Sequence, residues 1–532
     1  MSTITRRDAL KLASAAAALV TTPAVAAAAA YPKATEHAAP IEQWSVFETA
    51  FEANSDGNPF ASVTLTASFR QGHRELVVDG FYDGSGRYKL RFMPDAVGEW
   101  SFTTMSSLPA LHGRQGSFHC TPATVGNHGP VRVERGHHFG YADGKPFLPF
   151  GTTSYNWAHQ SPERQTQTLA ALKAAPFNKL RMCVFPTRFS DGHNELKLAP
   201  FERDAKDDFD HTRLNPLFFQ HLEEQIVALG QQGIEADLIL FHPYDAWGFA
   251  KMSAPDDDRY LRYVLARFSA YRNVWWSLAN EFDLVRSKTT ADFDRFFRIV
   301  TSSDPYQHLR SIHYSKVMYD YAAAWVTHAS LQTDAFDQAP RYLADWNKPV
   351  LFDEVKYEGN VARRWGNLTG EELAHRFWLG TVAGCYVTHG ETLLPPDAPM
   401  DETTPVSVWT AEGVQLRGRS PEMIGFLRSL SEAVAESAAV RAGWEAQANP
   451  YYLNATTYEA DGKTAHAVLW YFAEHQPLWY EFPLPAGPFA AEVIDIKART
   501  RTPLSGTFSG KSKVRLSGQP YVAVLFRRRN EK

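Results

Sequence analysis

Two stretches of the chain end abruptly in carboxylates: Asn273-Val-Trp-Trp-Ser-Leu-Ala-Asn280-Glu281-Phe-Asp283 and Pro349-Val-Leu-Phe-Asp353-Glu354-Val-Lys-Tyr357. Each is an apolar run of strand length, and a charge at the end of such a run is costly unless the strand opens into a pocket. Two carboxyl groups facing each other across a pocket suit glycosidic bond cleavage, in which one protonates the leaving oxygen and the other attacks the sugar carbon. Glu281, beside the Asn280 amide, is then expected to be general acid and later base, with a pKa raised by burial and by its partner's charge. Glu354 is expected to be the nucleophile, kept ionised by donors such as Arg181 or a tyrosine hydroxyl. Asp353 and Glu354 are adjacent, and neighbours on a strand point to opposite faces, so one of the two is expected to face the cleft.

Such a pair needs a scaffold that brings distant strand ends together. Strand and helix patterns alternate through the middle of the chain. Strands are expected at Phe147–Tyr155, Asn178–Phe185, Glu235–His242, Asn273–Leu278, Arg310–Ser315, Trp325–Leu331, Pro349–Asp353 and Cys385–His389. Helices are expected around Gln165–Ala174, Leu217–Gln232, Asp256–Tyr271, Ala291–Val300 and Gly370–Gly384. Eight strands in parallel alternation is the count of a closed (β/α)8 TIM barrel of the α/β class, whose chemistry gathers at the C-terminal strand ends.

Those ends offer Tyr155, Asn156 and Trp157 on strand one, Arg181 on strand two, His242 on strand three and Asn280 with Glu281 on strand four. Strands five to eight add His313 and Tyr314, His328 and Gln332, Asp353 and Glu354, and His389 with Glu391. Donors, acceptors and aromatic walls together suit a polyhydroxylated substrate. Trp157, Tyr244, Trp247, Tyr357 and Trp365 are each open to two readings, a platform for sugar rings or ordinary packing. The histidines at 242, 313, 328 and 389 raise a rival, a metal-dependent barrel hydrolase, but strand one carries no paired histidines. The two-glutamate reading calls for no cofactor and no metal. A second rival is a carbohydrate-binding protein without catalysis, against which the presence of both acids argues. Asp207, Asp208, Asp210 and His211 read as a solvated acidic loop that also rims the cleft. Insertions at about 186–215 and 391–421 could wall the cleft and favour exo action.

The bulk properties set bounds. The chain has 532 residues, 44% hydrophobic and 21% charged, with 14 Trp, 22 Tyr, 34 Phe and a formal charge of −5. The mature region's only notable basic run is Arg527-Arg528-Arg529, so nucleic acid is not the expected partner. Thr5-Arg6-Arg7-Asp8-Ala9-Leu10-Lys11-Leu12, an alanine-rich stretch and Ala24-Val25-Ala26 read as a twin-arginine export signal over residues 1–30. Its removal takes the charge to −7 and implies a periplasmic or secreted protein with no membrane partner. Three cysteines, Cys120, Cys183 and Cys385, form no disulfide or zinc pattern. Short alternating segments suggest an N-terminal β-sandwich over 41–125 and a C-terminal β-sandwich over 445–532, flanking a barrel over 130–440. Oligomeric state is open.

Asn280-Glu281 after strand four with a glutamate closing strand seven resembles glycoside hydrolase clan A, the retaining (β/α)8 glycosidases. Gly151-Thr-Thr-Ser-Tyr155 and Asp353-Glu354-Val-Lys-Tyr357-Glu358-Gly359-Asn360 resemble the apiosidase-like barrel families. These are often preceded by a sandwich bearing motifs like Gly80-Phe-Tyr-Asp-Gly84 and Arg91-Phe-Met-Pro-Asp95. The resemblance implies an oligosaccharide or polysaccharide substrate, with plant glycans among the candidates, two-glutamate double displacement, and Glu354 rather than Asp353 as nucleophile.

Overall fold

The computed structural model describes residues 39–187, 196, 198–393, 416–436, 443–447, 453–459 and 461–529. The export segment read at 1–30 and most of the 391–421 insertion lie outside them. Among the described residues no helix is long and apolar enough to cross a membrane.

The centre is an eight-stranded parallel barrel. Its strands are β1 (Phe150–Thr153), β2 (Lys179–Cys183), β3 (Glu235–Ile239), β4 (Val274–Ser277), β5 (Arg310–Ser311), β6 (Ala329–Gln332), β7 (Val350–Glu354) and β8 (Tyr386–His389). They pair in sequential order with β1 beside β8, and a parallel bridge from His313 to Ser330 closes the seam between β5 and β6. Seven helices follow: α1 (Pro162–Ala174), α2 (Pro216–Gln231), α3 (Ala254–Phe268), α4 (Thr290–Ser303), α5 (Ala339–Trp346), α6 (Gly370–Val382) and α7 (Ser420–Ala435). Their starts carry local signals. Ser161 caps α1, Asn215 precedes a first-turn proline on α2, and Thr289 and Asp292 cap each other on α4. Helices α5 and α7 were not expected from the sequence, and the acidic loop contains a hairpin, Phe201–Arg203 with Phe209–Leu214.

A three-stranded sheet, Val131–Glu134, His138–Tyr141 and Pro146–Phe147, plugs the barrel floor. Its Phe139 is fully buried, with ring centroids 5.2 Å from Trp275, 5.7 Å from His328 and 5.4 Å from Tyr386.

The N-terminal domain is a sandwich of a five- and a three-stranded sheet. Phe47 and Phe92 of one sheet meet Phe69 and Phe118 of the other, with stacked pairs at 4.2 and 4.1 Å. Its two sequence motifs dock it on the barrel. Arg91 donates to Glu223 of α2 (2.6 Å) and to the Arg267 carbonyl (2.8 Å), while Asp83 accepts from Arg267 of α3 (2.7 Å) and Gln220 of α2 (3.0 Å). Asn58 reaches Thr212 of the rim hairpin (2.9 Å to its carbonyl), so this domain also steadies the mouth. The C-terminal sheet packs Tyr471 against Trp378 of α6 on one face and Trp470 against Phe482 of a two-stranded layer on the other.

Candidate active site

The barrel interior is charged rather than oily. Lys179 bridges Asp237 (2.7 Å) and Asp353 (3.0 Å), and Asp353 also accepts from Ser330 (2.6 Å) and Thr388 (2.6 Å). Lysine and hydroxyl donors hold the Asp353 carboxyl well below the usual carboxylate range despite its burial. Above it lies Arg181, fully buried. It donates to the Tyr155 hydroxyl (3.2 Å), the Asp353 carbonyl (3.4 Å) and Asn280 Oδ1 (2.9 Å). Arg181 therefore orients Tyr155 and Asn280 from beneath.

The sequence expectation that only one of Asp353 and Glu354 faces inward is corrected by a β-bulge. Leu331 pairs with Phe352 but Gln332 pairs with Glu354, so Asp353 is an extra residue and the strand is re-aimed. Both acids face the barrel axis. Asp353 sits at depth among salt-bridge partners, and Glu354 sits above it with its side chain 16% exposed. Gln332 Nε2 donates to Glu354 Oε1 (3.2 Å), Tyr155 and Tyr357 hydrogen-bond to the same carboxyl, and His313 Nε2 lies 3.9 Å from Oε2. Tyr357 is clamped by Gly390, where any Cβ would come within 2.3 Å of its ring.

Glu281 leaves β4 with φ +47°, a left-handed conformation uncommon for a side chain of this size and a form of strain that clusters at functional sites. It is 7% exposed, and its Oε2 accepts from the Tyr244 hydroxyl. Burial and then the charge of Glu281 push the Glu354 carboxyl up to about 7, against Arg181, Tyr357 and Tyr155, which favour its ionised form. Arg181 cannot fully offset the pair because its charge is shared with Asp353 and Asp237. The pair therefore keeps one proton to near-neutral pH. The sequence reading had Glu354 kept ionised by its donors; in the structure burial and the Glu281 charge outweigh those donors and raise its carboxyl.

Around this pair the structure gathers Tyr155, Arg181, Asn280, His313 and Tyr357. His242 lies one step back, with Nε2 on the Phe185 carbonyl (2.9 Å) and Nδ1 accepting from the Tyr244 amide (3.2 Å). Trp247 is half-buried on the β3 loop, stacked near Phe249 at 6.1 Å. Glu391 follows β8, its amide held by Thr153 Oγ1 (3.0 Å).

Five expected substrate contacts are corrected. Trp157 is fully buried in the hydrophobic core, and Asn156 is fully buried with its amide oxygen taken by the Thr187 amide (3.2 Å). His328 precedes β6 and therefore lies on the barrel floor against Trp275 and Phe139. His389 occupies the outward register of β8, stacked on Phe177 at 4.8 Å, whereas its neighbour Thr388 points inward to Asp353. Tyr314 alternates away from His313 into the strand–helix core. The four histidines thus do not converge, and among the described residues no group of three or more His, Cys, Asp or Glu stands in a ligating arrangement. Glu358, in the same motif as Glu354, caps α7 by accepting from the Arg419 and Ser420 amides (2.7 and 3.0 Å). Tyr244, read from the sequence only as a platform or packing residue, proves to be the direct partner of Glu281; its loop position gave no periodic signal.

Comparison with known proteins agrees with this geometry. The family described as apiosidase-like, catalytic domain matches residues 133–394, and two domains of unknown function, DUF5060 and DUF5605, match 40–107 and 457–527. No curated protein matches the chain. A candidate glycoside hydrolase from Bacteroides vulgatus is 36% identical, with a TM-score of 0.83 over 92% of this chain and 100% of that one. A family 5 glycoside hydrolase from the same organism shares the fold at 13% identity and a TM-score of 0.56, covering 75% of this chain and 94% of its own. Full-length coverage of the 36%-identical relative, together with the matched catalytic domain, shows that the chain belongs to the glycoside hydrolases with an apiosidase-like catalytic domain.

Proposed function

We propose that the chain is an exported, retaining glycoside hydrolase that cleaves an oligosaccharide or polysaccharide by double displacement, with Glu354 as nucleophile and Glu281 as acid and base. The observation that carries this reading is the convergence of two carboxyls, from the ends of β4 and β7, on one ring of tyrosine, arginine, histidine and amide groups. A Glu354 oxygen attacks the anomeric carbon as the bond to the leaving oxygen breaks and Glu281 delivers its proton. Water then attacks the same carbon, Glu281 takes a proton from it, and the Glu354 ester is released. Retention is supported by the resemblance to clan A, whose carboxyls stand about 5 to 5.5 Å apart against about 6.5 to 9.5 Å in inverting enzymes. The twin-arginine segment supports export, the rim hairpin at 201–214 supports exo action, and the family description makes an apioside the first bond to assay.

The test is hydrolysis of a panel of natural oligosaccharides, apiosides included, by the wild type and by Glu281→Gln and Glu354→Gln. The wild type should cleave at least one, each variant should fold but lose turnover by orders of magnitude, and proton NMR should show the first product with retained configuration. Full activity in either variant would overturn the proposal.

A further inference from the structure

The two-stranded layer of the C-terminal domain is its outermost, since the main sheet lies between it and helix α6 of the barrel. Its strands, Trp479–Pro483 and Lys511–Arg515, are antiparallel, with Trp479 opposite Arg515, Glu481 opposite Lys513 and Pro483 opposite Lys511. Side chains on such a ribbon alternate between its faces. Phe482 and Val514 point inward and are buried in the domain's core, whereas all six residues of the three facing pairs are exposed. The outer face therefore carries three cations, one carboxylate, a proline and an indole.

These charges are not balanced within the face. Glu481 stands directly across from Lys513, yet the Lys513 ammonium lies over the Trp479 ring, 4.1 Å from its centroid, in a cation–π contact. Glu481 instead reaches Lys511, at 4.0 Å. Among the described residues no carboxylate pairs with Lys513 or Arg515. With the lysine in place Trp479 is still 56% exposed, more than any other described tryptophan, and its neighbour Leu478 is 67% exposed. Lysines that guard a sheet edge act by charge and call for no open indole between them.

An indole is an apolar platform for the C–H face of a sugar ring, and the planar fork of a guanidinium takes a carboxylate through two parallel hydrogen bonds. Trp479 and Arg515 are directly opposed, which sets their Cβ atoms about 4.5 to 5.5 Å apart, so one acidic sugar can meet both. Lys513 and Lys511 follow along the strand at two-residue steps of about 6.8 Å, placed for further carboxylates of the same polymer. The chain belongs to the glycoside hydrolases, which makes the polymer a polysaccharide, and its overall charge of −5 opposes nucleic acid. We propose that the outer face of this ribbon, centred on Trp479 and Arg515, binds a uronate-bearing polysaccharide at a site separate from the barrel mouth. Held on that polymer, the catalytic site meets the bonds around it at a raised local concentration.

Trp479→Ala and Arg515→Lys both leave the net charge unchanged, so neither alters binding that depends on charge alone or that occurs in the barrel. In native gels containing polygalacturonate the wild-type chain should be retarded, and each variant should bind about five- to tenfold more weakly, the loss expected for one aromatic platform or one bidentate contact. Gels containing neutral dextran should retard none of the three. Polygalacturonate that retards all three alike, or none, would overturn the proposal. So would tighter binding of the wild type to dextran sulfate or to phosphatidylglycerol vesicles than to polygalacturonate. The measurement needs no turnover, so it stands or falls apart from the double-displacement reading.

Discussion

Replacing Glu354 by glutamine should remove a pH-dependent weakness from the fold. The carboxyl is lifted from the ordinary 4.5 to about 7 by burial and by the charge of Glu281. Within this window the native chain holds a proton that the unfolded chain has released, so native stability declines as pH rises from 4.5 and levels off above 7. A displacement of about 2.5 pH units at 1.36 kcal/mol each amounts to about 3 kcal/mol. The side chain is only 16% exposed, so solvent screening removes little of this. Glutamine is neutral throughout, and Glu354→Gln should therefore gain on the wild type by most of that amount between pH 5 and pH 8, read from urea unfolding at both. Glu281→Gln removes the second cause of the lift and should recover part of it. If wild type and Glu354→Gln lose stability in parallel over that range, Glu354 is not a strained acid and the argument fails.

Other consequences can be checked separately. The kcat/KM profile should fall above about pH 7 as the pair loses its last proton, and a profile still rising at pH 8 would contradict the coupling. Lys179→Met leaves Asp237 and Asp353 buried without the lysine that bridges them and should cost about 3 to 5 kcal/mol in urea unfolding. Unchanged stability would show that the barrel interior is not held by this pair of bridges. Trp365 is 38% exposed and meets Tyr357 edge-on at 5.8 Å, so Trp365→Ala should raise KM for oligosaccharides about two- to tenfold with kcat nearly unchanged. A lowered kcat at constant KM would remove it from substrate binding.

Much of the barrel was legible because several of its strands, β4 and β7 among them, are apolar runs that stop at a polar residue, and most of its helices announce themselves by periodicity. The short helix at Ala339–Trp346 was not, since eight residues with a proline at the second give little periodic signal. Both glutamates and the tyrosine, arginine and amide around them were readable as strand-end residues. The errors share a cause. Sequence marks where a strand ends to within a few residues, but a side chain's face changes with every single step. His328 is at the wrong end of β6 and His389 on the wrong face of β8 for that reason. The bulge that turns Glu354 inward beside Asp353 depends on pairing with β6, which no local pattern of β7 contains. Tyr244 reaches Glu281 from a loop, where position follows from tertiary contacts such as that with His242.

The central claim is most directly tested by trapping the reaction half-way. A 2-deoxy-2-fluoro glycoside of whichever sugar the wild type releases, bearing a good leaving group, should slow the second step and leave the sugar esterified to the enzyme. Intact-mass measurement followed by peptide mapping should place that adduct on Glu354. An adduct on Glu281, or an active enzyme that forms none and inverts its product, would contradict the account.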